Sequence, residues 1–113
     1  MTEHTPGQTD AITLTGVIYI KPEHARDYER FATSAAQLIK DNEPDTLLYL
    51  VQRHPIEPHA YIFVERYRNG AAMKAHSSSP LIREALKNLR EWWVRPPEVL
   101  TSTQSICDVQ RDL

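Results

Sequence analysis

Alternation of side-chain types begins at Ile12 and predicts a first β-strand over residues 12–20. Successive side chains of a strand point to opposite faces of the sheet. One predicted face carries the large aliphatic residues Ile12, Leu14, Ile18 and Ile20, and the other carries Thr13, Thr15, Val17 and Tyr19. Lys21-Pro22 ends this strand, because proline suits the first turn of a following helix.

Two later segments repeat apolar residues at helical spacing, and each predicts a helix with one apolar stripe. The first stripe consists of Tyr28, Phe31, Ala32, Ala35, Leu38 and Ile39, and the second of Ile82, Ala85, Leu86, Leu89, Trp92 and Trp93. Ser79-Pro80 predicts a cap and a first turn for the second helix. Pro96-Pro97 predicts its end.

Three more strands complete the pattern. TLLYLVQR (46–53) and YIFVERY (61–67) are apolar on both faces, and VLTSTQSI (99–106) alternates weakly. AAMKAH (71–76) favours a short helical piece. The order β-α-β-β-α-β predicts one α+β domain over residues 11–107, between a flexible N-terminal tail (1–10) and a C-terminal tail (108–113).

Two helices cover only one face of a four-stranded sheet, so the other face needs a different cover. If this face were exposed to solvent, it would form a larger apolar patch than soluble monomers usually expose. A second copy of the sheet is the simplest cover, which predicts a homodimer through the sheet face. We expect the face with Ile12, Leu14, Ile18 and Ile20 to form the subunit contact. The alternative is a monomer whose tails fold over the sheet.

Composition and charge limit the classes of partner and the cellular location that we expect for this chain. The chain has 113 residues, a formal net charge of −2 and a single cysteine, Cys107. Scattered basic residues argue against a nucleic-acid partner, and no apolar run approaches the roughly 18 residues of a membrane span. The first ten residues lack the basic start and apolar stretch of a secretory signal. We therefore expect a cytoplasmic protein with neither membrane nor nucleic-acid contacts.

Three stretches carry a recognisable motif order: GVIYIKPEHARDYERF, EPDTLLYLVQR and YIFVERYRNGAAMKAHSSSPLIREAL. They contain a strand ending in Lys-Pro, a Glu-Pro turn, a strand ending in Glu-x-aromatic, and an Ala-rich piece closing on a His before Ser-Pro. Over about residues 12–106, this order resembles the antibiotic biosynthesis monooxygenase family. The resemblance implies a ferredoxin-like fold, with helices on one face of a four-stranded antiparallel sheet, that pairs into a dimeric α/β barrel.

The resemblance also implies a chemistry. Many members oxidise phenolic or quinol-like aromatics with O2 as co-substrate and with no metal or flavin cofactor, in a pocket between each subunit's sheet and helices. One branch degrades heme through an Asn, a Trp and a His. By spacing, the matching positions in this chain are Thr15, His76 and Leu86, so none of the three residues is present and heme degradation is not expected. Members often carry a second His after Ser-Pro, where this chain has Leu81.

Oxidation without a cofactor needs a base, because triplet O2 reacts slowly until the substrate becomes an electron-rich anion. His76 is the first candidate, since imidazole titrates near neutral pH. Its alternative role is a helix-end histidine that bonds a carbonyl. Glu65 is a lone carboxylate in an apolar strand and the second candidate; its alternative role is to pair with Arg53 or Arg66.

Substrate-binding candidates are Thr15, Tyr19 and Tyr49, whose hydroxyls would orient a phenolic substrate, and Trp92 and Trp93, of which one would wall the pocket. Ordinary strand and core packing are the alternatives. The leading hypothesis is a quinol- or anthrone-type monooxygenase acting on a small aromatic substrate. A non-catalytic small-molecule-binding or stress-related protein, or an isomerase or decarboxylase, is the alternative on the same fold.

Overall fold

The structure, a computed structural model, describes residues 10–109 and follows the predicted order of elements. The elements are β1 (Ile12–Ile20), α1 (Ala25–Asn42), β2 (Thr46–Arg53), β3 (Ala60–Tyr67), α2 (Gly70–Ser78), α3 (Pro80–Trp92) and β4 (Trp93–Ser102), with a 3-10 turn at Pro22–His24. Of the two predicted tails, residues 1–9 and 110–113 lie outside the described part. Within residues 10–109, no helix has the length and apolar content for crossing a bilayer.

The four strands form one antiparallel sheet in the order β2-β3-β1-β4. Leu14 lies opposite Glu65 and Ile18 opposite Tyr61, while Tyr49 lies on the other side of Glu65. Residues paired in this way share a face of the sheet. The predicted α+β, ferredoxin-like architecture is confirmed.

The core lies between the sheet and the helices. Ile18 and Ile20 are 3% and 1% exposed and pack with Tyr61, Tyr28 of α1 and Leu89 of α3. The assignment of the Ile12, Leu14, Ile18, Ile20 face to a subunit contact is therefore wrong. Alternation separates two faces but does not say which one the helices cover; here the larger aliphatic side chains fill the space beneath the apolar stripes.

The opposite face, which we call the open face, carries the alternate residues of each strand. Thr15, Val64 and Leu100 lie side by side on it, with Leu50 opposite Val64. Leu50 is 37% and Leu100 75% exposed, so much of this face is apolar and wet.

The C-terminal segment reaches the open face. Arg66, which lies between Thr13 and Leu48 in the sheet, pairs with Asp108, and both side chains are mostly buried. This contact leaves Leu50 and Leu100 exposed, so the alternative of tails that cover the sheet stays a prediction.

The junction between α3 and β4 differs from the prediction. The helix ends at Trp92, and β4 begins at Trp93 rather than at residue 99. Pro96 and Pro97 fit within it because β4 is an edge strand, and its pairing shifts register between Val17 and Tyr19. Prolines are tolerated at edges and bulges, where no ladder hydrogen bond is needed from their nitrogen.

The helix caps also differ from the prediction. Ser79 stands at the N-cap of α3, but its hydroxyl makes no capping bond; its carbonyl accepts from Arg83 N at 3.0 Å. The side-chain cap is on α2, where Asn69 Oδ1 accepts from Ala72 N at 2.9 Å. This bond fixes the start of the short helix that carries His76.

Close packing around position 16 leaves no room for a side chain larger than that of glycine. A Cβ built at this position would lie 2.5 Å from Phe63 Cζ and would overlap the Glu98 carbonyl oxygen. We expect Gly16→Ala to lower the free energy of unfolding by about 2 kcal/mol, the usual cost of overpacking. Urea denaturation measures this. Thr15→Ala, one residue away on the open face, is the control and should cost less than about 1 kcal/mol; equal losses would contradict the packing argument.

Candidate active site

A cavity of about 200 Å³ lies between the sheet and the helices. Its walls are largely apolar and come from β1, β2, β3, β4, α1 and α3, with Phe31, Phe63, Leu86 and Val99 among them. Five side chains with polar atoms also line it: Tyr28, Tyr49, Glu65, His76 and Trp93. An apolar cavity with a few convergent polar groups is the usual form of a small-molecule site.

His76 holds the centre of a polar cluster at one end of this cavity. Its Nδ1 is 2.8 Å from Glu43 Oε1, and its Nε2 is 3.6 Å from Glu65 Oε1. Tyr67 donates its hydroxyl to Glu65 Oε1 at 3.0 Å, and Thr46 donates to Glu43 Oε1 at 2.8 Å. His76 is 12% exposed and the two carboxylates are 21% and 17% exposed. The cluster thus joins two carboxylates through one imidazole.

The geometry gives the two ring nitrogens different roles. With Nδ1–H donated to Glu43, a neutral His76 has its lone pair on Nε2. The 3.6 Å between Nε2 and Glu65 is longer than a hydrogen bond, so neither atom is committed to the other. The pair can therefore accept a proton from a group placed in the cavity.

A second cleft, of about 300 Å³, adjoins the first. His76 and Ile82 line both, and Glu43, Asp45 and Leu81 line the cleft alone. His76 therefore stands in the wall between the two spaces, with Glu43 on the cleft side and Glu65 on the cavity side.

Burial and the carboxylates raise the pKa values of the neighbouring tyrosines. For Tyr28, Tyr49 and Tyr67, burial has the largest effect on the pKa. For Tyr49 and Tyr67, the charge of Glu65 comes next, and Tyr67 is also held by its hydrogen bond to Glu65. These three phenols therefore hold their protons more tightly than they would in water.

Of the predicted site residues, Glu65, His76, Tyr49 and Trp93 line the cavity. Glu65 pairs with neither predicted arginine: Arg53 binds Glu29, at 2.6 Å, and Arg66 binds Asp108. The catalytic and binding roles of these residues remain predictions.

Thr15, Tyr19 and Trp92 are not among the residues that line the cavity. Thr15 and Tyr19 alternate with the core residues of β1 and so lie on the open face, where Arg95 stacks over the Tyr19 ring at 3.7 Å. Trp92 stacks on His24, with ring centroids 5.7 Å apart. The prediction that Thr15 and Tyr19 line the pocket is wrong, because the helices cover the opposite face of β1. Of the two tryptophans, one of which was expected to wall the pocket, Trp93 lines the cavity and Trp92 does not.

Glu43, Tyr67 and Phe63 belong to the site but were not predicted for it. Glu43 belongs to the Glu-Pro turn of the sequence motif, which signals its place but not its contact with a histidine 33 residues away. Tyr67 shares the strand face of Glu65, and the Phe63 ring lies over Gly16. Within the described part of the chain, no group of three or more His, Cys, Asp or Glu residues is placed to hold a metal ion.

Residues 11–88 match the family model described as antibiotic biosynthesis monooxygenase. An uncharacterised protein of Synechocystis sp. is 23% identical over 99 residues, which cover 88% of this chain and 67% of that protein.

Solved structures share the fold. A candidate antibiotic biosynthesis monooxygenase from Caulobacter crescentus superposes with a TM-score of 0.79 at 22% identity, covering 86% of this chain and 92% of that one. A second candidate of the same description, from Bacteroides thetaiotaomicron, gives 0.81 at 18% identity, covering 91% and 97%. A conserved protein from Methanosarcina mazei gives 0.76 at 18% identity, covering 83% and 92%.

The raised pKa of Tyr49 has a consequence for stability in alkali. The unfolded chain loses this phenol proton near pH 10, whereas the folded protein keeps it, so stability is full below about pH 10 and falls as pH rises further. Each such tyrosine adds about 1.4 kcal/mol per pH unit to the slope. We expect Tyr49→Phe to make the fall shallower by about this amount. Urea unfolding at a series of pH values measures it.

The same titration contains its own control. Below about pH 9 both the folded and the unfolded chain keep the Tyr49 proton, so the stability difference between wild type and variant should be constant there. An unchanged alkaline slope in Tyr49→Phe would contradict the raised pKa.

Proposed function

Because the chain belongs to the antibiotic biosynthesis monooxygenase family, we propose that it is a cofactor-independent monooxygenase that oxidises a small aromatic or phenolic substrate with O2. One observation carries the proposal. At the wall of an apolar cavity, His76 is held by Glu43 through Nδ1 and presents Nε2 near Glu65. This is the arrangement of an oriented general base beside a second proton acceptor.

The cavity also supports the class of substrate. Its volume of about 200 Å³ is somewhat larger than the ~150 Å³ cavity that accommodates benzene in another protein, which favours small aromatic compounds. Phe31, Phe63 and Leu86 offer apolar surface to such rings. Tyr49 and Glu65, paired across β2 and β3, offer polar contacts beside the base.

The proposed reaction converts an activated CH2 group and O2 into a ketone and water. The His76–Glu65 pair removes one proton, and the resulting carbanion gives one electron to O2. The two radicals then combine into a C–O–O bond, and the peroxide takes the proton back. Cleavage of the O–O bond with loss of the second C–H proton releases water and leaves the carbonyl, so the substrate supplies every electron. A quinol has no CH2 group; there the same base removes an O–H proton, and O2 takes two electrons and two protons in all, which gives the quinone and hydrogen peroxide.

The charges around His76 favour transfer of the substrate's proton to a group inside the site. Two carboxylates would destabilise a lone substrate anion, as they do the tyrosinates around them. Moving a proton from the substrate to the His76–Glu65 pair leaves the total charge of the cavity unchanged. The anion then forms beside the proton it has lost, and the apolar walls limit competing reactions with water.

We also propose that the protein works as a homodimer through the open face. The exposed leucines of β2 and β4 offer an apolar surface, and a two-fold pair of sheets would cover it. The cavity then remains on the helix side, away from the partner.

The non-catalytic alternative has its own support. Both cluster carboxylates and His76 already have partners within the protein, as residues of a structural network would. Oxygen consumption separates the two functions, because a binding protein takes up none.

We expect His76→Ala to lower the rate of O2 uptake with a quinol or an anthrone by about 100-fold or more, because the general base is lost. An oxygen electrode measures this, and circular dichroism checks the fold. Glu43→Gln should lower kcat less, since it keeps Nε2 in place but weakens the orientation of the ring. His54→Asn, in the β2–β3 loop, is the control and should retain the wild-type rate.

Unchanged O2 uptake in His76→Ala would remove His76 as the base. Absence of O2 uptake by the wild-type protein across a panel of quinols and anthrones would favour the binding function.

We expect Leu50→Glu to convert the dimer into a folded monomer, because it places a charge on the open face. Light scattering coupled to gel filtration measures the mass. Ile56→Glu is the matched control: Ile56 is 82% exposed but lies between β2 and β3, and its variant should remain dimeric. A monomeric wild type, or a dimeric Leu50→Glu, would refute the interface.

A further inference from the structure

His76 and Glu65 place two proton acceptors side by side on the cavity wall. Nε2 of His76 and Oε1 of Glu65 are 3.6 Å apart and make no hydrogen bond to each other. Within residues 10–109, Nε2 has no other partner, yet it is not among the buried atoms left without one, so a molecule the size of water reaches it. Glu65 lines the cavity and not the neighbouring cleft, which puts Nε2 on the cavity side. A ligand in the cavity can therefore meet both acceptors.

The spacing of these two atoms suits the transfer of a proton between two carbons of one substrate. The α- and γ-carbons of an unsaturated ketone lie about 2.5 Å apart, as standard bond lengths and angles require. A ketone that lies against this wall thus has one of these carbons beside Nε2 and the other beside Glu65. Once Nε2 carries a proton, attraction between the imidazolium and the carboxylate shortens the gap that the proton crosses.

Tyr49 adds a hydrogen-bond donor on the same face of the sheet. It lies opposite Glu65 in the pairing of β2 with β3, and it lines the cavity. Within the described residues its hydroxyl has no partner and is not among the buried atoms left without one, so a ligand can reach it. Burial raises the pKa of this phenol, which therefore stays protonated and can donate to a ketone oxygen as negative charge develops there.

We propose that this site also isomerises small cyclic β,γ-unsaturated ketones to their conjugated α,β-isomers. The reaction shares its base with the proposed function but needs no O2. Nε2 of His76 takes the α-proton as that C–H bond breaks, and the electron pair moves into a dienolate whose oxygen accepts from Tyr49. The proton crosses to Glu65, which gives it to the γ-carbon, and the electron pair of the dienolate forms the new C–H bond. Substrate and product are isomers, and both side chains end in the state in which they began.

The test uses cyclohex-3-enone that carries deuterium on the carbon between its carbonyl and its double bond, with no O2 present. Its single ring is of a size that a cavity of about 200 Å³ can hold. Ultraviolet absorbance of the conjugated product gives the rate, and deuterium NMR shows where the label goes. We expect the protein to exceed the buffer rate by about 100-fold or more and to deliver deuterium to the γ-carbon. Catalysis by buffer would lose the label to water.

Three variants test the roles of the side chains, with circular dichroism as the check on folding. Glu65→Gln keeps an acceptor for Tyr67 but cannot carry the proton, so we expect it to lower the isomerisation rate by about 100-fold. Tyr49→Phe removes the donor to the ketone oxygen and should also lower the rate by about 100-fold. Glu98→Gln is the matched control and should keep the wild-type rate, because Glu98 is an exposed carboxylate of β4 that does not line the cavity.

A wild-type rate no higher than that of buffer would overturn the proposal. So would a product without deuterium at its γ-carbon, a readout that does not depend on whether any variant folds, or full activity in Glu65→Gln. Full activity in Tyr49→Phe would overturn the role of Tyr49. The outcome is separable from that of the proposed function. Isomerisation without any O2 uptake on quinols and anthrones would remove the monooxygenase alone, and O2 uptake without isomerisation would remove the isomerase alone.

Discussion

Burial of two helical stripes on one face of the sheet is the constraint on which the rest of this structure depends. Ile18 and Ile20 meet Tyr28 and Leu89 across that layer, and this contact decides which strand residues face inward. The cavity exists because the layer is incompletely filled between its two ends. The same choice of face leaves the leucines of the open face in water. The cavity and the apolar open face therefore have the same cause, namely which face of the sheet the helices cover.

The polar cluster is compatible with this apolar layer because its members satisfy one another. An isolated carboxylate beneath the helices would be costly, since burying a charge without a partner is unfavourable. Here Glu43 accepts from His76 and Thr46, and Glu65 accepts from Tyr67. The chain brings these groups together from α1's end, β2, β3 and α2. His76 Nε2 and Glu65 Oε1, 3.6 Å apart, make no hydrogen bond to each other, and Nε2 is the atom that a ligand can use.

Periodicity was enough to predict the elements, because the stripe from Tyr28 to Ile39 and the alternation from Ile12 to Ile20 are local properties. The orientation of β1 was not predictable in this way: both faces carry β-compatible residues, and only the third dimension shows which one meets the helices. Thr15 and Tyr19 were misplaced for that reason alone. The contact of Glu43 with His76 joins positions 33 residues apart, and no pattern along the chain records it. Trp93 continues the apolar stripe in sequence, yet its backbone is already extended.

The direct passage from Trp92 in α3 to Trp93 in β4, with no loop between them, restricts how the length of this chain can vary. If one extra residue at that joint shifted β4 by one position, every side chain of the shifted part would exchange faces. Val99 would leave the cavity wall, and a residue of the open face would enter it. The segment from His54 to His59 has no such consequence, because it connects two strands across solvent. We therefore expect insertions and deletions to be better tolerated between β2 and β3 than at the tryptophan pair.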